Sequence, residues 1–198
     1  PESLSGKLTP AAAKDTGLKT GTPIFIGSGD SVIEAYSVGV VDPGQCLIKL
    51  GTAANVDLVT SGPKPSTTTI TYPHVINNGW FSIAATNSGS ATMRWFKDSF
   101  FQFATENLHK SNFDIYEFIV GLATQVNPGS DGLIFHPYLM GERTPYWDPN
   151  LHGDFIGISS HHGINHFSRA ILEGVAYSIL ECYQEIQNLG QDITERLL

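Results

Sequence analysis

The chain has 198 residues, 41% of them hydrophobic and only 15% charged, with 19 acids against 11 bases for a net charge of −8. That length suits one domain with a real core, or at most one and a fraction, and the charge balance excludes the nucleic-acid binders, which rely on clustered Lys and Arg. Two cysteines, Cys46 and Cys182, lie far apart without metal-ligand spacing, which argues against a disulfide scaffold and suits a reducing compartment; with no apolar signal core and no run near about 18 apolar residues, the expected location is cytoplasmic, with no membrane partner.

Residues 1–22 are polar and broken by Pro10, Gly17 and Gly21, which predicts an irregular opening segment with a short helical turn over 11–14. Residues 23–26 form an apolar run closed by Gly27-Ser28-Gly29-Asp30, read as a buried strand ending in a glycine-rich turn. A helix is expected over 31–40, starting at Asp30 or Ser31. Strands are expected over 45–50 and 55–60, separated by Gly51-Thr52 as a hairpin. Two more flank Asn77-Asn78-Gly79, a strong hairpin signal, over 68–76 and 80–85. Helices follow over 91–108 and 113–126, then a short strand over 132–139. Residues 140–166 read as a long Pro- and His-rich loop with one apolar run at 155–158. The last helix, over 165–188, carries Phe167, Ile171, Val175, Ile179 and Tyr183 at steps of four. This order is mixed α/β with antiparallel pairs, not a regular βαβ alternation.

Several positions carry candidate chemistry. Asp30 follows a strand and a glycine-rich turn, where a carboxylate faces the usual α/β ligand crevice; it reads either as a general base or as a helix N-cap. Gly51-Thr52 after a strand can offer backbone N–H groups and a hydroxyl to a phosphate, or be a plain turn. Asn87-Ser88-Gly89-Ser90 before a helix is an anion site at a helix N-terminus or simple capping. There is no GxxxxGK[ST], no GxGxxG opening a helix and no G-x-S-x-G elbow, so a P-loop, a dinucleotide fingerprint and an α/β-hydrolase nucleophile are absent. His161, His162 and His166 lack the carboxylate or cysteine pattern of a metal site, and no metal is expected there. Glu142 and Arg143 read as a structural salt bridge pinning their loop.

Taken together, the stretches GLKTGTPIFIGSGD, VGVVDPGQCLIKLGTAANV, GLIFHPYLMGERTPYWDPNLHG and GDFIGISSHHGINHFSRAILEGVAYSI resemble the C-terminal domain of the FGGY carbohydrate kinases, nearest to their xylulokinase branch. Gly153, Phe155, Gly157 and Ile158, then seven residues, then His166, Phe167, Ala170, Ile171, Leu172 and Glu173 fit the family's second signature. The resemblance covers nearly the whole chain. It implies an actin-like (ribonuclease H-like) ATPase fold with a mixed sheet, the C-terminal half of a two-domain sugar kinase, and ATP-dependent phosphorylation of a sugar hydroxyl.

By the same resemblance, Asp30 stands at the substrate as the catalytic base, in a GSGD where the family has a GGGD-type motif. Gly51 and Thr52 would lie at the ATP phosphates, and Gly89 or Ser90 at the nucleotide. The cofactors implied are ATP and Mg²⁺, the metal held mostly by the family's N-terminal domain. No Asp-x-Gly-Thr phosphate hairpin occurs here and the chain ends before the family's adenine loop, so residues 1–198 are expected to be a partial C-terminal domain, inactive alone. The expected partners are a sugar substrate and the missing N-terminal domain; a homodimer stays open. Xylulose is the first acceptor expected, with gluconate or another pentulose or polyol second. A non-catalytic, sugar-sensing module is the rival reading.

Overall fold

The computed structural model describes residues 3–76, 79–102 and 114–197. Its centre is a five-stranded sheet in the order β5-β6-β4-β3-β9, built from β3 (Gln45–Leu50), β4 (Ala54–Thr60), β5 (Ile70–Pro73), β6 (Trp80–Thr86) and β9 (Glu195–Leu197). The pairs β3–β4, β4–β6 and β5–β6 are antiparallel. β9 joins β3 in parallel, so the sheet is mixed, as expected. The expected hairpins are present, although Asn77 and Asn78 of the second turn lie outside the described residues.

Strand alternation assigns the two faces. Val59 of β4 and Phe81, Ile83 and Ala85 of β6 join Leu47 in one cluster with Val32 and Ala35 of α2 (Asp30–Ser37). Val56 and Leu58, shifted by one, join Cys46 and Ala84 in a second cluster with Cys182 and Ile186 of α5 (Ile164–Gln187). The two cysteines, distant in sequence, thus share one core cluster as free thiols. Burial pushes the Cys182 thiol up to about 12, which leaves it protonated and unreactive.

A third cluster forms where α3 (Ser90–Phe100), α4 (Ile115–Ala123) and α5 meet β7 (Ile134–His136), around Phe96, Ile119, Leu133, Phe135 and Ile171. α5 comes close to β7 because Gly174 faces the strand; a Cβ there would run into the Phe135 carbonyl oxygen. The helix expected over 91–108 is described as far as Phe100, and residues 103–113 lie outside the described set.

Three expectations need correction. The opening segment is more regular than expected: the helical turn expected over 11–14 is present as α1 (Pro10–Thr16), but a strand, β1 (Leu4–Lys7), precedes it, and both come before β2 (Pro23–Phe25). β2 is not buried either. Among the described residues it pairs with β1 alone, leaving Phe25 59% exposed beside exposed Leu4, Ile24 and Ile26. An apolar run fixes strand character, but not whether a second layer covers it. Finally, the stretch 140–166 holds β8 (Asp154–Ile156), which pairs with β7; its apolar run supplies Phe155 against Phe135, ring centroids 4.6 Å apart.

Candidate active site

A cleft of about 490 Å³ opens where α2, the β3–β4 turn and β6 converge. Asp30, Gly51 and Thr52 all line it, together with Lys49, Glu34, Asn55 and Arg143. Asp30 is the first residue of α2, and the N-cap position belongs to Gly29. The N-cap alternative for Asp30 is therefore corrected. Among the described residues its exposed carboxylate accepts only the neighbouring Ser31 N–H, at 2.8 Å, and it stands in the first helical turn, where the helix dipole favours an anion.

The β3–β4 turn is closed by Gly51 N–H donating to Ala53 C=O at 2.9 Å. It is then clamped to α3, as Ser90 N–H donates to Gly51 C=O at 2.8 Å and Ala91 N–H to Thr52 C=O at 3.1 Å. A side chain at position 89 is impossible without movement: a Cβ would lie 2.6 Å from Gly51 O, 2.7 Å from Ala53 C and 2.8 Å from Thr52 O. Gly89 and Ser90 do not line the cleft; they pack against the turn that does. Two of the helix-terminal donors of α3 are spent on that turn, while the Thr52 side chain is exposed to the cleft.

Under the cleft floor lies a buried carboxyl. Asp57 of β4 sits opposite Leu47 and Ile83 in the ladder, is 0% exposed, and accepts from Asn55 Nδ2. Its other oxygen, Oδ2, has no hydrogen-bond partner. Burial raises its pKa from 3.8 to about 7; the Asn55 hydrogen bond and the Lys49 charge pull it back, and Glu34 pushes it up. Lys49 itself is ion-paired with Glu34 and donates to Ser31 Oγ at 3.3 Å.

The Glu142–Arg143 pair does pin its loop, but not as a salt bridge. Buried Glu142 accepts from Thr86 Oγ1 at 2.6 Å, Asn87 N–H at 2.7 Å and Arg143 N–H at 2.6 Å. Thr144 continues the seam, its N–H donating to Ala85 C=O and its Oγ1 accepting from Ala85 N–H. The loop thus runs beside β6 and delivers Arg143 to the cleft. Glu142→Gln places an amide N–H₂ against these donors and is expected to cost about 1–3 kcal/mol, read as a lower urea midpoint with unchanged m-value.

Two of the three histidines have a structural job. His166 Nδ1 accepts from Gly163 N–H and His162 Nδ1 from Ser159 N–H, each at 3.0 Å. Both rings therefore carry their proton on Nε2, which points at Asp131, from His166 to Oδ2 at 3.2 Å and from His162 to the backbone oxygen at 3.3 Å. His166 thereby caps the first turn of α5.

The residues fit the nucleotide phosphates in part: a Gly-Thr turn and two cations share the cleft with Asp30. They do not form a magnesium site by themselves, since among the described residues no group of three His, Cys, Asp or Glu is placed to hold a metal. Lys49, Asn55, Asp57 and Arg143 were not singled out as site residues from the sequence. Asn55 and Asp57 are polar positions spaced by two in an otherwise apolar strand, a pattern that also marks the wet face of an ordinary hairpin.

Residues 46–198 match the family model described as the FGGY family of carbohydrate kinases, C-terminal domain. The chain is 32% identical over 172 residues to a gluconokinase of Bacillus subtilis (strain 168), covering 86% of this chain and 34% of that protein. It is 30% identical over 194 residues to a xylulose kinase of Staphylococcus epidermidis, covering 96% of this chain and 37% of that one. The crystal structure of xylulose kinase from Rhodospirillum rubrum superposes with a TM-score of 0.75 at 28% identity, over 94% of this chain and 36% of that one. The chain thus spans about a third of the length of the relatives it matches. Its mixed α/β fold is that of the C-terminal half of these kinases, an actin-like ATPase domain. No described helix is long and apolar enough to cross a membrane. On the family match across residues 46–198 and the likeness to these relatives, the chain belongs to the FGGY family of carbohydrate kinases.

Proposed function

We propose that the intact protein carrying this chain transfers a phosphoryl group from ATP to a sugar hydroxyl, with Asp30 as the base. The observation that carries this reading is the convergence of an exposed, singly hydrogen-bonded carboxylate with the Gly51–Thr52 turn in one cleft. ATP supplies the electrophilic phosphorus and the leaving group. Asp30 orients the acceptor hydroxyl and takes its proton as the new P–O bond forms. Thr52 offers its hydroxyl to the phosphates, and the Gly51–Thr52 backbone permits close approach. Gly89 and Ser90 act on the nucleotide through that turn, holding it against α3. Such chemistry needs positioning and charge stabilisation more than covalent participation.

The acceptor is a pentulose or an aldonic acid, since the relatives include xylulose kinases and gluconokinases. The phosphate hairpin, most Mg²⁺ ligands, most sugar contacts and the adenine loop belong to the rest of the protein, in keeping with a chain that spans about a third of its relatives. Its place is the cytoplasm, where ATP is available. The test is ADP release by the intact protein with Mg-ATP and each of D-xylulose, D-ribulose, D-gluconate and glycerol. Release with one of them is expected; none with any refutes the activity.

A further inference from the structure

We infer that Arg143 is the anion receptor of the cleft, binding one oxyanion: a phosphoryl oxygen of the nucleotide or the carboxylate of a sugar acid. The inference rests on the reading of this cleft as a kinase site and names a ligand group for it.

Four charged side chains line the cleft among the described residues: Asp30, Glu34, Lys49 and Arg143. Lys49 is matched by Glu34. Arg143 has no carboxylate at ion-pairing distance among the described residues, although Glu142 is its neighbour in sequence, because the Glu142 carboxylate is spent on Thr86, Asn87 and the Arg143 backbone. Arg143 is therefore the unmatched positive charge of a cleft that otherwise repels anions, in a chain of net charge −8.

The guanidinium is also held in place. Nη2 donates to Thr86 C=O at 3.0 Å. The segment beneath it is fixed by Glu142 on one side and on the other by Thr144, whose Oγ1 donates to Thr68 C=O at 2.7 Å. Nε is buried with no acceptor. An anchored guanidinium with donors to spare is pre-organised for an oxyanion, which accepts two parallel N–H bonds where lysine offers a point charge.

The test uses the intact protein with Arg143→Gln and Arg143→Lys, and two readouts. Calorimetric titration with the non-hydrolysable analogue AMP-PNP measures nucleotide binding without turnover. Steady-state KM is measured for ATP, D-xylulose and D-gluconate. If the oxyanion is a phosphoryl group, Arg143→Gln weakens AMP-PNP at least tenfold, ADP less, and the ATP effect is the same with either sugar. If it is a carboxylate, AMP-PNP binding is unchanged and only the gluconate KM rises tenfold or more. Arg143→Lys is expected to fall between wild type and Gln in either case, because it keeps the charge and loses the fork. Changes below twofold in all these quantities, in variants with wild-type melting temperature, overturn the assignment. Should Arg143→Gln melt early, the Lys variant decides: full wild-type binding and KM values for it overturn the fork geometry. Failure of the kinase reading is seen separately, as no turnover by wild type with any sugar, and the AMP-PNP titration still reports on Arg143 in that event.

Discussion

Asp30→Ala in the intact protein is expected to lower kcat by about 10²–10⁴-fold, the range for a lost general base, while the AMP-PNP dissociation constant moves less than about threefold. The expectation follows from what Asp30 does and does not touch. Among the described residues its carboxylate accepts a single hydrogen bond, from the adjacent Ser31 N–H, and Gly29, not Asp30, holds the cap position of α2. Removing the carboxylate leaves no buried donor unpaired, so the melting temperature should stay within a few degrees of wild type. Asp30→Asn separates orientation from proton transfer: it keeps the shape and loses the base, and should be nearly as slow as alanine. Turnover within a few-fold of wild type in either variant removes Asp30 from the chemistry.

Asp57→Asn is expected to stabilise the protein above neutral pH and to flatten its pH dependence. The folded chain holds the Asp57 carboxyl at about 7 against an ordinary 3.8. Between these values the folded state keeps a proton that the unfolded state has already released. Stability from this group is therefore complete below about pH 4, falls as pH rises through the window, and is gone above about 7. At about 1.4 kcal/mol per pKa unit, the whole change is at most about 4 kcal/mol. The groups that set it are Asn55 on its own strand, Lys49 on β3 and Glu34 on α2. Urea unfolding of wild type and variant at pH 5 and pH 8 reads the difference directly. The variant should gain at pH 8 relative to pH 5; an equal difference at both values would falsify the buried, proton-holding state of Asp57.

Much of the candidate site was legible as separate pieces. The GSGD turn, the Gly-Thr turn and the polar turn at 87–90 each follow a strand, and local punctuation of this kind survives folding because glycine and the first helical residue are dictated locally. Their convergence was not legible from spacing; it came from a resemblance across the chain. Arg143 was hidden for a different reason. Its neighbour Glu142 invites a pairing in sequence, but Glu142 is satisfied by donors from β6 and the turn after it, and nothing local announces that. The exposed β2 shows the converse limit, since Pro23-Ile24-Phe25 has the composition of a core strand and sits on the surface.

The contact between Gly89 and the β3–β4 turn has a mechanical meaning. Three backbone atoms occupy the space a methyl group would need, and two hydrogen bonds cross the same junction. Such a joint has no slack, so the turn cannot shift toward a phosphate without carrying the front of α3 along. α3 in turn is seated through Phe96 in the cluster it shares with α4 and α5. A push at Thr52 is thus passed through α3 to the helical layer behind it, where Phe96 packs with Ile119 of α4 and Ile171 of α5.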